Sequence, residues 1–168
     1  FACNQEIEDD KGTLDYIEEC AREAGIKTSS INMEEIGVDD AVLQKPGQLT
    51  EEEFEQIKQH PVLGYDILKE IKLFRKILPA VRHHHEAWDG SGYPDGLSGD
   101  GIPRDAQVLA VADAFDAMTS DRPYRTSIPV ERVIDTLSKG RGKQWAADVV
   151  EALFDTEAIE DAKERNKN

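Results

Sequence analysis

The stretch His83-His84-His85-Glu86-Ala87-Trp88-Asp89-Gly90-Ser91-Gly92-Tyr93-Pro94 carries the strongest structural signal in this chain. It places three of the four histidines directly before a loop punctuated by glycine. Neutral imidazole is the commonest metal ligand among side chains, so adjacent histidines beside a constrained loop predict a metal site. Pro79 is expected to begin the helix that carries these histidines, because its fixed φ suits a first helical turn.

Helical signals continue on both sides of this stretch. Thr50 followed by Glu53 is a capping-box signature, and Pro61 is expected to open the next helix. Residues 89–103 hold five glycines and two prolines, which favours a loop. Helices are expected over residues 14–24, 50–60, 61–68, 79–88, 104–119, 129–138 and 146–154. Since no stretch alternates with period two, the predicted fold is all-α.

The length of 168 residues suits one domain with a substantial core. We expect a helical domain over residues 13–154, with an acidic lead-in over residues 1–12. Residues 155–168 are expected to form a polar, weakly docked C-terminal tail.

The charge balance limits the classes of partner. The chain has 35 acidic and 20 basic residues, a formal net charge of −15, which argues against nucleic-acid backbones and anionic membranes as partners. An anionic substrate would need local positive charge or a bound cation. No apolar run is long enough to span a bilayer and no signal-peptide pattern is present. Cys3 and Cys20 lack disulfide or metal-site spacing, so free thiols and a cytoplasmic location are expected.

The segment 108–118 reads as a helix that is apolar nearly all round, which predicts a central buried helix. Asp113 and Asp116 lie inside it, three residues apart. A buried carboxylate is costly unless it is paired or bound to a cation. Asp113 is therefore predicted to be a metal ligand, whereas for Asp116 a salt bridge to an arginine is an equal alternative.

His60 is expected at the end of a helix, on the same face as Ile57. A lone histidine there is usually a hydrogen-bonded core residue. With His84 and His85 it becomes a candidate third imidazole, and three histidines with an open position form a recognised hydrolytic metal site. His83 is expected to face solvent.

Two guanidinium groups, on Arg122 and Arg125, follow the buried helix. Arginine forks match phosphate oxygens in a bidentate manner. On residue type alone, however, a surface loop that pairs with the many carboxylates is the favoured interpretation.

The order and spacing of these motifs resemble the HD-GYP domains, bacterial metal-dependent phosphodiesterases that open cyclic di-GMP. The resemblance runs over about residues 36–153. It implies an HD-domain-like helical bundle with an irregular, glycine-rich GYP loop. The motifs are Ile36-Gly37 through Leu49-Thr50, His60-Pro61, His84-His85-Glu86, Asp89-Gly90-Ser91-Gly92-Tyr93-Pro94, Leu109-Ala110-Val111-Ala112-Asp113 and Asp121-Arg122-Pro123-Tyr124-Arg125.

The resemblance also implies roles for individual residues. Members of the family hold two or three divalent ions, here expected to be iron or manganese. The residues that resemble metal ligands are His60, His84, His85 and Asp113. Those that resemble contacts to the cyclic dinucleotide are Tyr93, Arg122 and Arg125. The family further implies a protein partner at the GYP loop and a regulatory domain upstream.

One part of the family pattern is replaced in this chain. The positions of the family's His-Asp pair and phosphate-facing lysine read Ile31, Asn32 and Glu35. One metal position should be retained and the second empty or weak, because a neutral amide is a poorer donor than a carboxylate. Two main hypotheses follow: a phosphodiesterase, or a weakened or inactive member that binds nucleotide or a protein partner. A structural or dimerising module with an empty site is a third.

Overall fold

The structure is a computed structural model that describes residues 45, 49–120 and 127–165. Over these residues every helix or strand element is helical, which confirms the predicted all-α fold. The α-helices are α1 (Glu51–Ile57), α2 (His60–Leu68), α3 (Leu78–His83), α4 (Arg104–Thr119), α5 (Val130–Gly140), α6 (Ala147–Phe154) and α7 (Ala158–Arg165). Short 3-10 helices cover Lys72–Lys76 and Gly99–Gly101. No helix in the described part of the chain is both long and apolar enough to cross a bilayer.

The chain divides into two compact units, residues 1–64 and 65–168, and the division falls inside α2. In the first unit, α1 begins with the predicted capping box: the Thr50 N–H donates to the Glu53 carboxylate (2.7 Å) and the Glu53 N–H donates to the Thr50 hydroxyl (3.3 Å). Such reciprocal bonds satisfy amide groups that the first turn leaves unpaired.

Helix α1 ends at Ile57, three residues earlier than expected, and His60 begins α2 instead of ending α1. Pro61 is the cause, because it has no N–H to donate to the carbonyl four residues before it. The His60 ring takes that place, and its Nδ1 donates to the Ile57 carbonyl oxygen (2.7 Å). The proline thereby fixes the orientation of an imidazole.

The second unit is built around α4, which packs against α3, α5 and α6. Helix α7 packs on α5 and α6, with Ile159 and Ala162 buried. The expected weak docking of this segment is wrong, because Ile159 and Ala162 lie on one helical face and are both buried. The buried apolar cluster consists of Val111, Phe115, Met118, Val130, Val133, Leu137, Trp145, Ala146, Val149, Val150, Ile159 and Ala162.

Helix α4 has the predicted bounds but is not buried all round. Val108 is 48 % exposed, and Ala112 and Asp116 are also exposed. These residues are four apart, so they form one stripe along the helix. The expected burial of Asp116 is wrong, and its carboxylate accepts a hydrogen bond from the Ser120 hydroxyl (3.1 Å).

Helix α3 begins with Pro79 in its first turn, as predicted, but ends at His83 and does not reach Trp88. The Trp88 N–H donates to the Gln144 carbonyl (3.0 Å) and the Asp89 N–H donates to the Lys143 carbonyl (2.8 Å). These bonds to the segment after α5 replace helical ones, so Trp88 belongs to the loop.

Gly140 lets the buried Trp145 ring lie directly on the end of α5. A Cβ at Gly140 would overlap that ring, and Trp145 is only 7 % exposed. We expect Gly140→Ala to lower the free energy of unfolding by about 1–3 kcal/mol, as overpacked cores do. Denaturant titration followed by circular dichroism measures this.

The matched control for this substitution is Gly101→Ala. A Cβ at Gly101 would have no atom within 4 Å, so its effect should stay within about 0.5 kcal/mol. Equal effects of the two substitutions would contradict the proposed contact between Gly140 and Trp145.

Candidate metal centre

The end of α3 presents two adjacent histidines. Leu78, Ala80 and Val81 bury the inner face of this helix. His84 follows as the C-terminal cap and is 3 % exposed. Its Nδ1 donates to the Val81 carbonyl oxygen (2.8 Å). The ring is therefore held by its own helix.

Two imidazoles of the second unit, those of His84 and His85, lie side by side and each offers a ring nitrogen that could hold a metal ion. The place of His60 as a third ligand stays a prediction. The Nδ1 atoms of His60 and His84 face backbone carbonyls, which can only accept, so Nδ1 carries the proton and Nε2 the lone pair. Metal-binding histidines commonly have such a second bond. These residues therefore fit a divalent cation.

The electrostatics of the pair favour neutral imidazole, the form that binds metals. Burial lowers the pKa of His84 well below its ordinary value, and the neighbouring His85 lowers it further. Burial also lowers the pKa of His85 to about 3. The two rings are 4.1 Å apart between centroids. Both nitrogens that could coordinate a cation are therefore unprotonated near pH 7.

The glycine-rich loop returns to this pair of histidines. The Tyr93 ring stacks on the His85 ring, with centroids 4.9 Å apart and planes at 22°. The Tyr93 N–H donates to the His85 carbonyl (3.1 Å). A Cβ at Gly92 would overlap the Ala87 nitrogen and the His85 carbonyl oxygen, so only glycine allows the approach. The Tyr93–Pro94 peptide bond is cis.

The other predicted site residues are distributed differently. Asp113 is half-buried on α4. Its role as a ligand stays a prediction. The predicted positions that lie outside the described residues are Ile31, Asn32, Glu35, Arg122 and Arg125.

A second group of polar side chains beside the loop was not predicted. His83, Glu86 and Asp95 each offer a ligand atom within 4.8 Å of the others. The side chain of His83 is only 14 % exposed, so the expectation that it faces solvent is wrong. The loop folds back beside the helix end and covers it with Asp95. The sequence contained one signal for this inward position of His83. Glu86 lies three residues later, at a spacing that lets two side chains near a helix end contact each other.

Comparison with known proteins shows the family of this chain. The sequence model of the HD domain family matches residues 33–148. The chain belongs to the HD domain family.

Its relatives include proteins named as cyclic dinucleotide phosphodiesterases. The cyclic di-GMP phosphodiesterase response regulator RpfG of Xanthomonas campestris is 37 % identical over 86 % of this chain and 43 % of its own length. A cyclic di-GMP phosphodiesterase of Thermotoga maritima is 43 % identical over 79 % of this chain and 37 % of its own length. A 3'3'-cGAMP-specific phosphodiesterase of Vibrio cholerae is 36 % identical over 59 % of this chain and 22 % of its own length. The HD-GYP resemblance is confirmed, and the chain spans less than half the length of these relatives.

The lowered pKa of His85 predicts how the stability of this HD domain changes with pH. In the unfolded chain a histidine titrates near 6.5, whereas in the folded chain His85 titrates at about 3. Between these values the unfolded state binds the extra proton, so the free energy of unfolding falls as the pH drops from about 6.5 to about 3. The slope is at most about 1.4 kcal/mol per pH unit for one such group.

Urea titrations of the metal-free protein between pH 6.5 and pH 5 measure this slope. His85→Gln removes the group, so its slope should be shallower than that of the parent protein. Parallel pH dependences in the two proteins would contradict a neutral, buried His85.

Proposed function

We propose that this chain is a metal-dependent phosphodiesterase-type domain for cyclic dinucleotides such as cyclic di-GMP, with one divalent cation, iron or manganese, on His60, His84 and His85. The adjacent imidazoles of His84 and His85 carry this proposal, and His60 is proposed as the third ligand. Support comes from the HD domain match and from eight relatives that are named as phosphodiesterases of cyclic di-GMP or 3'3'-cGAMP.

The residues of the chain would divide the work of binding. His60 and His84 keep their lone pairs oriented because their Nδ1 atoms are bonded to backbone carbonyls. Tyr93 borders the group through its stack on His85 and is proposed to contact the dinucleotide, with Arg122 and Arg125 on its phosphates. Asp113 is proposed as a ligand of a neighbouring, weak cation position. A bound divalent cation polarises a phosphoryl oxygen and acidifies water.

Hydrolysis is proposed to be weak or absent. In two-metal sites, cations ~3.5–4 Å apart stabilise both the attacking and the leaving oxygen. Asn32 replaces a bridging carboxylate with a neutral amide, and Glu35 replaces a cation with an anion that repels phosphate. Ile31 removes an imidazole. These replacements would affect the second cation and the phosphate more than the proposed ligands His60, His84 and His85.

The same replacements favour a second candidate function. A domain that keeps a nucleotide or a protein partner bound without turnover would act as a signalling module. The GYP loop would then be the contact surface. Turnover distinguishes the two functions.

The proposal is tested by measuring metal content and cyclic di-GMP turnover on the same preparation of the purified protein. After loading with Fe²⁺ or Mn²⁺ and removal of excess ion, we expect about one cation per chain, as three imidazoles provide one site. His84→Ala should lose that cation. Restoring the family pattern with Ile31→His, Asn32→Asp and Glu35→Lys should raise the metal content and increase turnover by about 100-fold or more, the scale of one electrostatic contact to a transition state.

Three outcomes would contradict this picture. Two cations per parent chain with rapid turnover would exclude the weakened site. A parent protein that binds neither metal nor cyclic di-GMP would exclude the proposed function. A triple variant that gains no metal would show that residues 31–35 are not the family's His-Asp-Lys positions.

A further inference from the structure

Glu86 is a buried carboxylate without an assigned role. Its side chain has no exposed surface. Oε1 accepts a hydrogen bond from the Asp95 N–H (2.8 Å), and Oε2 accepts one from the Leu97 N–H (2.9 Å). Both donors are backbone groups of the loop, directly after Tyr93-Pro94. A buried ionised carboxylate is tolerated only with such partners.

Asp95 is held at a second point by the helix. The Arg82 guanidinium donates to it with two bonds, Nε to Oδ2 and Nη2 to Oδ1, both 2.8 Å. This fork lowers the pKa of the Asp95 carboxyl, so Asp95 is ionised near pH 7. Bidentate pairs of this kind constrain geometry as well as contribute energy. The loop is therefore joined to the end of α3 through both the main chain and the side chain of one residue.

His83 lies between the two carboxylates. Its Nδ1 is 3.6 Å from Glu86 Oε1 and 3.6 Å from Asp95 Oδ2. These three residues are close enough to bind a cation together. Their carboxylates are already used, however, because Glu86 accepts hydrogen bonds from two amides and Asp95 accepts from a guanidinium cation. The existing bonds join the helix end to the loop.

We propose that Glu86, together with the Arg82–Asp95 pair, is a positioning device that fixes residues 93–97 and so sets the Tyr93 ring against His85. The bonds of Glu86 start two residues after Tyr93, and the Tyr93 N–H is itself bonded to the His85 carbonyl (3.1 Å). Release of Asp95 and Leu97 would remove the two hydrogen bonds that hold the chain just after Tyr93. The consequence for substrate rests on the proposed function, whereas the loop geometry does not.

Amide hydrogen exchange measured by NMR tests the positioning directly. Glu86→Gln keeps one oxygen acceptor but presents an NH₂ group to the other amide, so one of the Asp95 and Leu97 amides loses its acceptor. We expect that amide to exchange at least about fivefold faster, the scale of one hydrogen bond. The Asp89 amide, bonded to the Lys143 carbonyl (2.8 Å), should be unchanged. Unchanged exchange at both Asp95 and Leu97 would overturn the proposal.

A surface variant tests the same device without a change to a buried group. Asp95 is 36 % exposed in its side chain, so Asp95→Asn should fold. Its matched control is Asp148→Asn, because Asp148 forms a similar pair with Arg104 (2.7 Å) on other helices. We expect the Asp95 and Leu97 amides to exchange faster in Asp95→Asn. Their exchange rates should be unchanged in Asp148→Asn. Equal behaviour of the two variants would overturn the role of the Arg82–Asp95 pair.

Cyclic di-GMP binding connects the loop to the site. With metal content unchanged, Glu86→Gln and Asp95→Asn should each raise the Kd for cyclic di-GMP by about fivefold. If turnover is measurable, KM should rise by about fivefold, with a smaller decrease in kcat. Faster exchange with unchanged Kd and KM would overturn the link to substrate. If the parent protein binds no cyclic di-GMP while the amides respond as expected, the proposed function fails and the positioning device is supported.

Discussion

The helix that carries the paired histidines stops at His83, and the architecture of the site depends on that stop. Beyond His84 the chain leaves the helix, so the loop can return over the His84 and His85 rings, whose centroids are 4.1 Å apart. Gly92 makes this return possible, because any Cβ there would overlap the backbone of the residues that follow the helix.

Two kinds of buried polar group are satisfied by the backbone. The rings of His60 and His84 donate to carbonyls, and the Glu86 carboxylate accepts from amides. Each bond uses a main-chain group that no regular helix pairs: the Ile57 carbonyl opposite a proline, and amides in an irregular loop. Breaks in secondary structure therefore supply the hydrogen-bond partners that buried polar side chains need.

Local signals explain which elements the sequence predicted well. Residues close in sequence were enough to predict the capping box at Thr50, the proline at the start of α3 and the bounds Arg104–Thr119. Contacts between distant residues explain what it missed. His83 faces inward because Asp95 folds back onto it, and α4 keeps an exposed stripe at Ala112 and Asp116 because its neighbours cover only the other faces. The presence of Glu86 in a ligand-rich motif hid its bonds to the loop.

The charge of the proposed imidazole ligands affects how an acidic chain could bind an anion. With a formal net charge of −15, the protein repels phosphate at long range. Imidazole ligands are neutral, so a divalent cation held by them would keep its full formal charge, whereas each carboxylate ligand cancels one unit. If Asn32 stands at the position of the family's aspartate, as proposed, its neutral amide would strengthen the local attraction for a phosphodiester but could not position a second cation. Binding and hydrolysis would then depend on different residues, so the chain could lose hydrolysis and still bind the phosphodiester.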